Sequence, residues 1–81
     1  MKKPCIVIEV EGGLVQSVYA NIPGIEVFKI DLDTEGADKD DITNMEGCFN
    51  ADEACFSMVE PELVEEEQID HLRRIWEREN G

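Results

Sequence analysis

The chain has 81 residues and a net charge of −13, which leaves room for one modest hydrophobic core. Hydrophobic residues at 42% and charged residues at 33% exclude a disordered tail, and six Gly and three Pro without a period exclude collagen-like or low-complexity sequence. No apolar run approaches the roughly 18 residues of a spanning helix. The stretch after Lys2-Lys3, Cys5-Ile6-Val7-Ile8, is too short for a signal peptide. The expectation is therefore a single cytoplasmic domain covering 1–81.

Cys5 to Val10 is β-branched and almost continuously apolar, which predicts a strand with one face fully buried and the other partly covered. Glu11-Gly12-Gly13 supplies the positive-φ residues of a tight hairpin, and Leu14 to Ala20 resumes as a second strand. Asn21-Ile22-Pro23-Gly24 is a turn. Ile25 to Asp31 alternates strictly and predicts a third strand, with Tyr19 and Phe28 packing on the sheet. Residues 1–30 form a β-rich part with three bases against three acids.

Residues 31–53 are rich in Asp, Glu, Gly and Asn and predict a long acidic loop. Thr43 and Glu46 have the spacing of a capping box, although Gly47 leaves little helix to cap. Residues 54–59 fit a fourth strand better than a helical turn, because Glu60-Pro61 breaks the segment.

From 61 to 79 the period becomes helical. Pro61 suits the first helical position, Glu62, Glu65, Glu66 and Glu67 lie at the positive end of the dipole, and Arg73, Arg74 and Arg78 lie at the negative end. Val64, Ile69, Leu72, Ile75 and Trp76 share one stripe, which assigns Trp76 to the core. Asp70 with Arg74 and Arg73 with Glu77 are spaced for ion pairs. The fold class is α+β: a three- or four-stranded, mainly antiparallel sheet with one C-terminal amphipathic helix packed on it, in the order β-β-β-loop-β-α.

Charge is distributed unevenly. Residues 31–81 hold four bases against 17 acids, so the whole imbalance falls there. It gathers in two clusters, Asp31 to Asp41 and Glu60 to Asp70. Direct nucleic-acid binding needs Lys and Arg to displace counterions, so it is not expected, nor is an anionic membrane surface. A basic protein surface or a cation is the partner such charge fits. Solubility alone is the plain alternative.

The three cysteines, at 5, 48 and 55, make neither a closed disulfide set nor paired zinc spacings, and the expectation is reduced core thiols. Asp31-Leu32-Asp33-Thr34-Glu35-Gly36 has the first half of a calcium loop, with acids at positions 1, 3 and 5 and Gly at 6. The second half fails, since Ile42 stands where a bidentate Glu belongs. Asp31, Asp33 and Glu35 are thus a weak calcium candidate, and no other cofactor is implied.

No catalytic constellation emerges. The single histidine, His71, lies at the edge of the apolar stripe, and Ser17 and Ser57 lack a nucleophile-elbow context. Gly12-Gly13 lacks the Lys-Ser/Thr of a phosphate loop. A non-enzyme is the expectation.

The run Ile8-Glu9-Val10-Glu11-Gly12-Gly13-Leu14-Val15-Gln16-Ser17-Val18-Tyr19, followed by Val27 to Asp38, resembles a group of small acidic bacterial proteins carried largely on phages, plasmids and other mobile elements. The resemblance covers the first half of the chain and brings no activity and no functional residues. It implies a bacterial host cell, and acidic anti-CRISPR and anti-restriction proteins that imitate DNA are the nearest functional analogy. The expectation is an acidic inhibitor that occupies a basic, nucleic-acid-binding surface of a larger protein. Asp31, Asp33, Glu35, Asp38, Asp40, Asp41, Glu60, Glu62, Glu65, Glu66, Glu67 and Asp70 would carry the contact. The alternatives are a calcium module at 31–36 and a self-associating accessory protein, in which a homodimer forms through a sheet edge or the helix.

Overall fold

The glycine hairpin forms as its sequence demands. Gly12 at φ 59 and Gly13 at φ 80 link strand β1 (Ile6–Glu11) to strand β2 (Leu14–Ala20), both in the left-handed region a two-residue turn uses. The structure is a computed structural model and describes residues 3–81. Further along the chain come β3 (Val27–Asp31), β4 (Ile42–Asn44), β5 (Glu53–Val59), β6 (Glu62–Leu63) and the helix α1 (Glu66–Asn80). Single 3-10 turns lie at Lys39–Asp41 and Cys48–Asn50.

The α+β class holds, but the strands do not join one sheet. Among the described residues they form two three-stranded sheets, ordered β1-β2-β6 and β3-β5-β4. Contacts divide the chain in the same way, into Met1–Ile25 with Glu60–Gly81 (the hairpin–helix unit) and Glu26–Val59 (the central unit).

In the hairpin–helix unit β1 and β2 pair antiparallel from Ile6↔Ala20 to Glu11↔Leu14, with a bulge at Glu9/Val10. Contrary to the expected burial, β1 is largely exposed, Ile6, Ile8 and Val10 included, and of its residues Val7 alone is half-buried. The short β6 adds to β2 in parallel, Tyr19↔Glu62 and Ala20↔Leu63, and the Val64 N–H donates to the Ala20 carbonyl at 2.9 Å. This pairing corrects the expected helix start. Glu62 and Leu63 are held in the sheet, so Pro61 lies outside the helix, which begins at Glu66. At its far end the Gly81 N–H donates to the Glu77 carbonyl.

Of the helix stripe, Ile69 is fully buried at 1% exposure, while Trp76 is 68% exposed. Trp76 is therefore not core, while its neighbour Ile75 is half-buried and lines the same groove as Val7, Glu9 and Tyr19 of the sheet. Among the described residues Asn21 is the buried polar one, 3% exposed, and both ends of its amide are hydrogen-bonded. Its Oδ1 accepts from the Cys5 N–H at 2.9 Å, and its Nδ2 donates to the Lys3 carbonyl at 2.8 Å and to Glu66 Oε2 at 2.9 Å. Asn21 thereby ties the start of β1 to the first turn of α1.

In the central unit β3 pairs with β5 from Val27↔Val59 to Asp31↔Cys55, confirming the strand at 54–59 with one more residue at its start. The acidic segment 31–53 is not structureless. Its Ile42–Asn44 pairs with β5, from Ile42↔Cys55 to Asn44↔Glu53. Thr43 therefore lies in a strand and caps no helix. The core of this unit is Met45, Ala51 and Ala54, with Ile30 packed against it. None of the cysteines is buried, contrary to the expected core thiols: Cys48 is exposed in its turn, and Cys5 and Cys55 are half-buried.

Candidate functional site

The two acidic clusters fall in different units. Asp31 ends β3 half-buried, and Asp33, Glu35, Asp38, Asp40 and Asp41 follow it exposed. Two successive Asx turns shape the start of this segment: the Asp33 N–H donates to Asp31 Oδ1 at 3.0 Å, and the Glu35 N–H to Asp33 Oδ1 at 3.3 Å. Gly36 at φ 82 then lets the chain turn, and the Ala37 N–H reaches the Thr34 carbonyl at 3.1 Å. Asp38 precedes the 3-10 turn, and Asp40 and Asp41 lie within it.

Asp31 and Asp33 each spend one oxygen on the backbone. Among the described residues no group of three or more His, Cys, Asp or Glu side chains converges as a metal site would need. Asp31, Asp33 and Glu35 are close in sequence without being brought to one point.

The second cluster behaves differently. Glu60, Glu62, Glu65 and Glu67 are exposed, but Glu66 and Asp70 are half-buried and engaged. Arg73 Nη1 lies 2.7 Å from Glu66 Oε1 and 2.7 Å from Asp70 Oδ1. The expected pairs, Asp70 with Arg74 and Arg73 with Glu77, are absent among the described residues. Residues seven apart share a helix face, and Asn21 already holds Glu66 in place, so Arg73 turns back towards it. The hydrogen bond to Glu66, then that to Asp70, raises the pKa of Arg73 above the ordinary arginine value. Both carboxylates thus stabilise the start of α1 and are the least available of the twelve for a partner.

The central unit has no such internal neutralisation. Its ten acids face two lysines, a net −8, and among the described residues none of them forms an ion pair. The hairpin–helix unit has ten acids against five bases, a net −5, and its described residues include three ion-pair contacts on α1.

Sequence reasoning missed the exposed apolar groups. Phe28 and Phe56, read as ordinary sheet residues, are both exposed, and so are Met58 and Phe49. Strict alternation in β3 was a signal, because a strand with apolar residues on both sides in so short a chain leaves one side uncovered. His71 is exposed on α1 and makes no hydrogen bond or ion pair among the described residues. It lines a groove of about 410 Å³ with Val7, Glu9, Tyr19, Ile69 and Leu72. Tyr19 donates its hydroxyl to Glu9 Oε1 at 2.8 Å on that groove's wall. No helix of the described residues is long and apolar enough to cross a membrane.

Comparisons with protein-family models, with curated proteins and with solved structures find no match to this chain.

Proposed function

We propose that this is a non-enzymatic acidic binding protein that docks on a basic, nucleic-acid-binding surface of a larger protein, its carboxylates standing where phosphates would. The observation that carries the reading is the central unit's charge. It leaves Asp33, Glu35, Asp38, Asp40 and Asp41 exposed and unneutralised on one short stretch of chain. Folding gains nothing from such crowding, since like charges repel. A basic partner would relieve it, and complementary charge speeds encounter and selects the partner. Glu60, Glu62, Glu65 and Glu67 form the secondary contact, with Glu66 and Asp70 supporting the helix. The mobile-element resemblance supplies the setting, an antagonist inside a bacterial host cell.

The test is competition. The protein is expected to displace duplex DNA from a recombinant basic DNA-binding domain, with affinity falling about tenfold or more between roughly 50 mM and 200 mM salt. The triple variant Asp38→Lys, Asp40→Lys, Asp41→Lys is expected to lose the displacement. Displacement that ignores both salt and the triple variant would refute the reading. Calorimetry with millimolar calcium is expected to show no heat; saturable heat lost in Asp31→Asn would favour a calcium module instead.

A further inference from the structure

The central unit carries an apolar feature that its acidity does not explain. Phe28 pairs with Met58, and Ile30 with Phe56, across β3 and β5, so all four project from one sheet face. The Phe28 and Phe56 rings stack with centroids 5.7 Å apart. Even so, Phe28 is 58% and Met58 63% exposed. The segment from Met45 to Ala51 rises beside this face and closes a groove of about 380 Å³, lined by Phe28, Ile30, Met45, Cys48, Phe49 and Phe56.

Phe49 is the unusual member. It is 85% exposed, and its backbone sits at φ 53, ψ 34, in the left-handed region that a bulky residue enters only at a cost. The backbone around it is well tied. The Met45 N–H donates to the Asp52 carbonyl at 2.8 Å, the Gly47 N–H to Ala51 at 3.0 Å and the Ala51 N–H to Cys48 at 3.0 Å, while Met45 and Ala51 are buried beneath. The strained conformation is imposed by the anchors on either side, and the ring itself contributes nothing to the core. Glycine would fit that backbone better. A large ring kept in water at a strained position beside an apolar groove fits an anchor for a partner.

Charge selects the occupant. The unit's net −8 disfavours a second copy of the chain and any anionic surface, and exposed Glu46, Asp52 and Glu53 flank the Phe49 turn and the start of β5. We infer that the groove beside Phe49 takes a leucine- or phenylalanine-type side chain from a segment of a basic protein, flanked by lysine or arginine that the surrounding carboxylates receive. This rests on the proposed docking to a basic surface and adds the apolar contact that holds it.

Two synthetic peptides test it by calorimetry against the full chain: a lysine-rich peptide with a central Leu-Phe pair, and the same peptide with Ser-Ser there. The Leu-Phe peptide is expected to bind at least about tenfold tighter. Phe49→Gly and Phe28→Ser, both at residues that line the groove, are each expected to shrink that margin severalfold while leaving the weaker Ser-Ser binding unchanged. Phe49→Gly keeps the fold, with a melting temperature equal to or above the parent's, because glycine suits φ 53. Equal, salt-sensitive binding of both peptides would overturn the apolar anchor and leave the acidic reading standing. Binding of neither would overturn both. Sedimentation showing a dimer that Phe49→Gly dissolves would make a second copy the occupant and overturn the inference.

Discussion

The hairpin–helix unit and the central unit carry the same number of acids and treat them differently. In the first, Glu66 and Asp70 converge on Arg73, and Asn21 locks Glu66 to the strand start. The second carries ten acids and a core of Met45, Ala51 and Ala54, with no ion pair among the described residues. The first also buries Ile69 completely, the largest side chain so enclosed, while both units leave large apolar groups in water: Ile8, Val10, Leu14 and Trp76 in the first, Phe28, Phe49 and Met58 in the second. The exposed, unpaired carboxylates and the exposed Phe28 and Phe49 of the 34-residue segment Glu26–Val59 are what the proposed docking would use.

The contrast can be broken by truncating one large apolar side chain in each unit. Ile69→Ala is expected to cost about 2–5 kcal/mol in denaturant unfolding, because it removes buried methylenes and leaves a cavity. Phe28→Ser, at a position already more than half exposed, is expected to cost no more than about 1 kcal/mol. Equal costs would erase the distinction. Next in size is Asn21→Ala, expected to lose about 1–3 kcal/mol, since the Cys5 N–H, the Lys3 carbonyl and Glu66 each lose a partner. Added salt should have the smallest effect, raising the melting temperature by a few degrees by screening a net charge of −13. A fall with salt would mean that the Arg73 pairs outweigh the repulsion. Alkaline pH sharpens the same point. A raised pKa keeps the Arg73 contribution fully present below the ordinary arginine value, and it is lost only above that. Neutral and mildly alkaline solutions should therefore leave it intact.

The local elements were readable where the chain itself dictates them. Gly12-Gly13 is read as a hairpin because only residues at ease with positive φ make that turn, and the strand at 54–59 follows from Pro61 closing it. The helix start was not readable in this way, since β6 takes Glu62 and Leu63 through pairing with a strand more than forty residues earlier. Ile42–Asn44 was hidden for the same reason: three residues show no period, and only β5 beside them makes a strand.

The candidate surface divides along the same line. That the chain is acidic, with its acids in two clusters, is written in the residue types. Which carboxylates are consumed by Arg73 and Asn21, and that Trp76, Phe28 and Phe49 face solvent, depends on what lies opposite each side chain. Composition and turn residues act over a few bonds and are legible from sequence. Burial and pairing are set by neighbours distant in the chain, and only the tertiary structure brings those neighbours together.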